Sequence, residues 1–544
     1  MARSTANPVA ALLGAGAVSS VSAGFLLAGL LLAAAIVLGG GTRSGFLGDV
    51  ILQLIAIPVF LVALGGRRES RSRGSFEPLF CGLLVLVPLL QIVPLASLIQ
   101  VVTISRADAG VAAMLSGRPT VSVNVAATMS ALLSLLPPVA LFLMVRTCGS
   151  AERRGLAILL VGGTVASAFL GLGQLSQGPS SPLRFFEETN RADVVGFFAN
   201  RNHVAALLYC AFLIAVPWAL QAATLFRQAP IRARLDARFL LPLVASLLVM
   251  TILVSTQAMT RSRAGLGLTM AALVGGYLIL FRDRRRGSRQ AEVRWISGAI
   301  GLGAVIAIQF ALLRILSRFG SDPLADARVT FARGTIEAAK AFMPFGSGMG
   351  TFTDSYGLFE KPVDALVEVF ANRAHNDFLE IWLEAGVLSL GLVAVFTIWF
   401  AGRFVAVWRR QSSGFDIDHS LARAASLAVL FLMLHSLVDY PLRTGAMMVI
   451  FAMACAFLVT PPADPDLSDL AFAPDVRRRP SKSRREPTAA AAAVTIAAEV
   501  QPQTRLAPSP TNWPAEWQSR DGDGPTRRQP QDWPPVRRKP DGTT

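Results

Sequence analysis

Apolar runs of about 18 residues or more recur between residues 18 and 460, separated by short polar segments. As a helix, each such run is long enough to cross a hydrocarbon core of roughly 30 Å. The pattern predicts twelve spans, near residues 20–40, 46–65, 78–100, 125–145, 155–175, 203–226, 239–257, 264–281, 295–313, 378–402, 421–438 and 444–460. The expected fold class is therefore all-α integral membrane: a polytopic domain over 20–460, preceded by a cytosolic segment 1–19 and followed by a tail, 461–544. The first apolar stretch, 21–40, is too long for the core of a cleaved signal and is read as a retained helix.

Charge fixes the expected orientation. Arg clusters fall in every second loop, as in RRESRSR (67–73), RTCGSAERR (146–154), RQAPIRARLDAR (227–238), RDRRRGSRQAEVR (282–294) and RFVAVWRR (403–410). The positive-inside rule makes these loops cytoplasmic, and both termini with them. The alternate loops then lie outside, the longest being 314–377, between the ninth and tenth spans. Its mixture of acidic, basic, Gly, Pro and aromatic residues suggests an ordered excursion and a functional loop. The tail is rich in Pro, Ala and Arg, cannot bury enough apolar surface to offset its ordering entropy, and is expected to be disordered in the cytosol.

Composition supports the class: 53% of residues are hydrophobic and only 16% charged. The net charge of +16 is spread over short loops and the tail, where it serves topology, so nucleic acid is not an expected partner. The four cysteines, Cys81, Cys148, Cys210 and Cys455, fall in spans or on a cytosolic loop and suggest no disulfide framework.

Candidate chemistry gathers at the outer interface. Of the four histidines, His419 is expected inside, whereas His203, His375 and His435 map near the outer face. Histidine is the side chain best suited to exchange a proton near neutral pH. The ordinary reading for His203 and His435 is an interfacial or a packing histidine; His375, in RAHNDFLEIWLEAG (373–386) at the exit of the large loop, is the candidate base. Two outer segments carry arginine. The turn STQAMTRSRAGLG (255–267) holds Arg261, expected to reach the headgroups, and Arg263, expected at membrane depth with an anionic partner. The segment 326–352 holds Arg328 and Arg333. A guanidinium fork suits the oxygens of a lipid-linked diphosphate. The GSGMG at 346–350 follows no predicted strand and is read as a compact turn, not a nucleotide loop. Neither a metal site nor a cofactor is expected.

Five pieces, GFFANRNHVAALL (196–208), SRAG (262–265), the Arg328 segment leading into PFGSGMGTF (344–352), AHNDFLEIWLEAG (374–386) and HSLVDYPLRT (435–444), together resemble the O-antigen ligase and polymerase family of bacterial membrane glycosyltransferases. The resemblance spans about 190–450. It implies an undecaprenyl diphosphate-linked glycan donor, an acceptor hydroxyl on a saccharide or on lipid A-core, and a site on the periplasmic face of the inner membrane. It implies His375 as general base and Arg263 and Arg328 as diphosphate-binding residues. Arg333 is the second candidate for the latter arginine, because Arg328 lacks the tryptophan that often follows in the family. Asn376, Asn202, His203 and His435 are candidate supporting residues. Transfer would be inverting and metal-independent, with ligase and polymerase not separated by sequence. The alternatives are a lipid-linked glycan transporter or a non-catalytic subunit that works with polysaccharide-assembly proteins.

Overall fold

The computed structural model describes residues 22–43, 45–65, 76–94, 109–187, 189–282, 323–361, 371–410 and 415–461. The expected span at 295–313, the segment 1–19, the tail after 461 and the Arg clusters at 67–73 and 283–294 lie outside the described residues. Within them, every regular element is helical. These are α1 Ala23–Leu38, α2 Leu47–Gly65, α3 Phe76–Ile92, α4 Ala109–Leu115, α5 Val125–Ser134, α6 Leu136–Val145, α7 Ser150–Ser176, α8 Arg201–Gln228, α9 Ala237–Met259, α10 Arg263–Arg282, α11 Pro323–Ala341, α12 Phe352–Tyr356, α13 Asp377–Arg409, α14 Ile417–His435 and α15 Gly445–Phe457.

Every other expected span falls at least in part on these helices, 125–145 on two of them, while the end of 78–100 lies outside the described residues. Among the described residues, eight spans are long and apolar enough to cross a membrane, with α5 and α6 together forming one of them. Helices α1, α3 and α15 are apolar but shorter. The run 125–145 divides where Pro137 and Pro138 fall in the first turn of α6, a position that suits proline's fixed φ and missing N–H. The span expected at 421–438 ends earlier, at His435, and the residues beyond it form a turn closed by the 3-10 segment Pro441–Arg443. Part of the long loop 314–377 is ordered as α11 and α12.

Burial sorts the bundle. Helix α8 is its axis, with 89% of its membrane window buried against α9, α10 and α14, whereas only 11% of the window of α9 is buried. Helix α11 lies against α13, and its buried face carries Phe331, Thr335, Ala338 and Phe342, spaced three and four apart. Arg328 lies one turn before Phe331 on that face and is half-buried, while Arg333 points to the exposed side.

Helix α13 is broken. Gly386 has φ 55° and ψ −136°, a conformation reserved for glycine, and a Cβ there would stand 2.0 Å from the Pro344 carbonyl oxygen. The GSGMG turn occupies the break. Its Ser347 and Gly348 N–H groups donate to the carbonyls of Leu383 (3.0 Å) and Glu384 (2.9 Å), and Val387 N–H donates to Pro344 (2.9 Å). Gln91 of α3 completes the seam, donating to Glu384 O (2.8 Å) and accepting from Met349 N–H (2.9 Å). Backbone groups freed by a break in an apolar helix must find partners inside the protein, and this turn supplies them.

Candidate functional site

Asn376 starts α13. Its Oδ1 accepts from the N–H groups of Phe378 (3.0 Å) and Leu379 (3.1 Å), and its Nδ2 donates to Leu437 O (2.8 Å). Both amide atoms of this expected supporting residue are therefore committed to backbone. His375, immediately before the cap, adopts φ 51°, a left-handed conformation rare outside glycine that costs of order 1–3 kcal/mol and persists only when its surroundings enforce it.

The enforcing contacts are specific. His375 Nδ1 lies 3.1 Å from Oδ1 of Asp439, in the turn between α14 and α15. Phe331 of α11 stacks on the imidazole at 5.9 Å and 17°, and Tyr440 meets it edge-on at 4.9 Å. An ionised carboxylate only accepts, so Nδ1 carries the proton and Nε2 the lone pair. No hydrogen bond among the described residues occupies Nε2, and the side chain keeps 16% exposure. Burial pushes the Asp439 carboxyl up, but the His375 hydrogen bond and the nearby His375, His203 and His435 outweigh it and hold it below the ordinary carboxylate range.

Helix α8 contributes from its first turn. Asn202 Nδ2 donates to Asp439 Oδ2, so that each carboxylate oxygen has one partner. His203 meets Tyr440 edge-on at 5.0 Å, which places the tyrosine ring between two imidazoles. His203 and His435 are completely buried. His435 Nδ1 is 3.2 Å from the Tyr209 hydroxyl, and Arg328 lies within electrostatic reach of His435. Among the described residues, His203 Nδ1 and Nε2, His435 Nε2 and Arg328 Nε are buried without a hydrogen-bond partner. Leaving such an atom unpaired costs about 1–3 kcal/mol, so this cluster is built to meet further polar groups.

A charged layer supports the cluster. Asp377, Glu380 and Glu384 lie along one buried face of α13. Arg443, in the 3-10 turn, approaches all three, at 3.7, 3.4 and 2.7 Å. Arg373 pairs with Glu380 at 2.9 Å, and Ala374 N–H donates to the same carboxylate at 2.9 Å. Burial opposes the charge on Arg443, but the three carboxylates more than offset it and raise its pKa. The layer clamps the two chain segments that present His375 and Asp439.

Arg263 opens α10 and is half-buried. Its neighbour Arg261 pairs with Asp193 at 3.2 Å, and Asp193 also binds Arg201 at 2.7 Å. The pair ties the α9–α10 turn to the start of α8. At the next turn Gly265 packs so closely on α8 that a Cβ would lie 2.4 Å from that of Ala205. The α10 start carrying Arg263 is thus set against the first turn of α8, where Asn202 and His203 begin. Arg333 is not part of this grouping.

Asp439, Tyr440, Arg443, Glu380 and Glu384 were not singled out from sequence. A signal existed: acidic residues at helical spacing on one face of an apolar helix demand a buried cation, and Arg443 is the arginine in the turn beside that helix's N-terminal end. Among the described residues no group of three His, Cys, Asp or Glu side chains is placed to hold a metal ion. No curated protein compared with the chain matches it. The family model described as O-antigen ligase matches residues 245–396, from within α9 to within α13 and including Arg263, Arg328 and His375, a match that supports a likeness to the O-antigen ligase-like family over that stretch.

Proposed function

We propose that the chain transfers a glycan from an undecaprenyl diphosphate-linked donor to an acceptor hydroxyl, at the periplasmic end of the bundle. The observation that carries this reading is the oriented imidazole: Asp439 holds His375 Nδ1 and leaves Nε2 as the proton-accepting atom of a partly exposed ring. His375 takes the acceptor proton, the hydroxyl oxygen attacks the anomeric carbon, and the bond to the diphosphate breaks. The anomeric configuration inverts in this single displacement. Asp439 stabilises the imidazolium as it forms.

Arg328, and Arg263 at the α9–α10 turn, bind the diphosphate, where charge grows as the glycosidic bond breaks and is worth most in the transition state. His203 and His435 offer their unpartnered nitrogens to substrate hydroxyl or phosphate oxygens. The family match supports the reaction class and the membrane-held substrate.

The test is reconstitution of the full chain in liposomes with an undecaprenyl diphosphate-linked glycan and a saccharide acceptor. The expected result is a new glycosidic bond of inverted anomeric configuration, with release of undecaprenyl diphosphate. Movement of the intact donor across the bilayer, with no bond formed, would replace this reading by a transporter.

A further inference from the structure

We propose that Asn202 is a positioning residue for the glycan transfer, acting through Asp439 to fix the plane in which His375 is held. The assignment rests on the reaction proposed above. His375 Nδ1 meets one carboxylate oxygen of Asp439 at 3.1 Å. A single partner leaves the carboxylate able to swing, because the terminal torsion of an aspartate has only a broad, two-fold preference. Asn202 Nδ2 donates to the other oxygen. With a donor on each oxygen the plane of the carboxylate is fixed, and with it the direction of the imidazole. Bulk water has little access to do the same, since Asp439 is 1% exposed and Asn202 9%.

The amide is available because the helix does not need it. Asn200 is the N-cap of α8, its Oδ1 accepting from Asn202 N–H at 2.8 Å. Asn376, by contrast, commits both amide atoms to backbone at the start of α13. The turn that presents Asn202 is itself anchored. Arg201 N–H donates to Asn190 Oδ1 at 2.9 Å, and the Arg201 guanidinium pairs with Asp193 at 2.7 Å. Asp193 also holds Arg261, in the turn that leads into Arg263. One seat therefore fixes both the amide that holds Asp439 and the α10 start that carries an arginine assigned to the diphosphate. A reacting group whose supporting hydrogen bond is removed keeps its chemistry and loses its geometry, and that is the loss expected at Asn202.

The experiment is steady-state turnover of the full chain in liposomes, with kcat and the KM for the lipid-linked donor measured for wild type, Asn202→Ala and Asn202→Asp, and for Asn202→Ala combined with Asp439→Ala. Asn202→Ala is expected to lower kcat roughly tenfold, the scale of one hydrogen bond to a charged group. KM is expected to hold, and the unfolding midpoint to stay above the assay temperature. Asn202→Asp keeps the shape but turns an acceptor toward an acceptor, and is expected to lose at least as much; it carries the test if Asn202→Ala folds poorly. In the Asp439→Ala background no carboxylate remains to be held, so Asn202→Ala is expected to change kcat less than about twofold. Full additivity of the two substitutions, or a rise in KM with kcat unchanged, overturns the assignment, because Asn202 then acts independently of Asp439 or on binding alone. Wild type that transfers no glycan overturns the underlying reaction, whereas wild-type turnover equalled by both Asn202 variants overturns the assignment alone.

Discussion

His375 Nδ1 lies 3.1 Å from Asp439 Oδ1, although 64 positions separate the two residues in the chain. The contact joins the entry of α13 to the turn between α14 and α15, and it gives the imidazole one tautomer and one direction. Asp439→Asn keeps the shape but replaces an acceptor-only carboxylate with an amide that can offer Nδ2–H to Nδ1. Transfer is expected to fall by roughly 10²-fold or more, the usual scale of lost acid–base assistance, at unchanged membrane abundance.

Asp439 itself sets no limit on the pH–rate profile. Its carboxyl is held below the ordinary range, so it stays ionised around neutral pH. The stability it contributes is present above the unfolded carboxylate value of about 3.9 and is lost only as pH falls through its depressed folded value. Thermal unfolding followed against pH is expected to show no Asp439-dependent loss between about pH 5 and 8 when wild type is compared with Asp439→Asn.

Helix α11 separates its two arginines. Arg328 sits on the half-buried side one turn before Phe331, and Arg333 is exposed. Lysine keeps the charge but loses the fork. Arg328→Lys is expected to lower transfer at least tenfold and Arg333→Lys to change it less than twofold, on the scale of one charge-assisted bond against none. Product formation per unit of membrane protein measures both, and equal effects would return the role to a general surface charge.

The buried acid ladder of α13 depends on one cation. Arg443→Ala leaves Asp377, Glu380 and Glu384 facing one another with Arg373 as the remaining partner, and breaking a buried pair in this way costs on the order of 3–5 kcal/mol. A large drop in unfolding midpoint and in membrane abundance is expected. Gly386→Ala should act similarly through the backbone, since its Cβ meets the Pro344 carbonyl oxygen at 2.0 Å. A folded, abundant Gly386→Ala protein would show that the GSGMG turn does not lock the break.

The bundle was legible because hydrophobic period is a local signal. The His375 motif stood out for the same reason: a polar triplet at the mouth of a long apolar helix. What the chain does not reveal locally is pairing over distance. Asp439 lies in HSLVDYPLRT and Asn202 in ANRNH, ordinary turn and cap residues until α8 and α14 pack and bring them to one carboxylate. His203 and His435 lie at helix ends, and only packing around α8 shows that both side chains are buried. Arg261 likewise looked free to reach the headgroups, and Asp193 claims it across 68 positions. The break at Gly386 reads as an unremarkable glycine until the GSGMG turn is seen to fill it.

The most direct measurement is turnover by His375→Ala in the reconstituted liposome assay, beside wild type at matched abundance and unfolding midpoint. The account expects glycosidic product to fall by roughly 10²–10⁴-fold while binding of the lipid-linked donor is retained, because the arginines and not the imidazole hold the diphosphate. Near-normal product formation by a folded His375→Ala protein would contradict it.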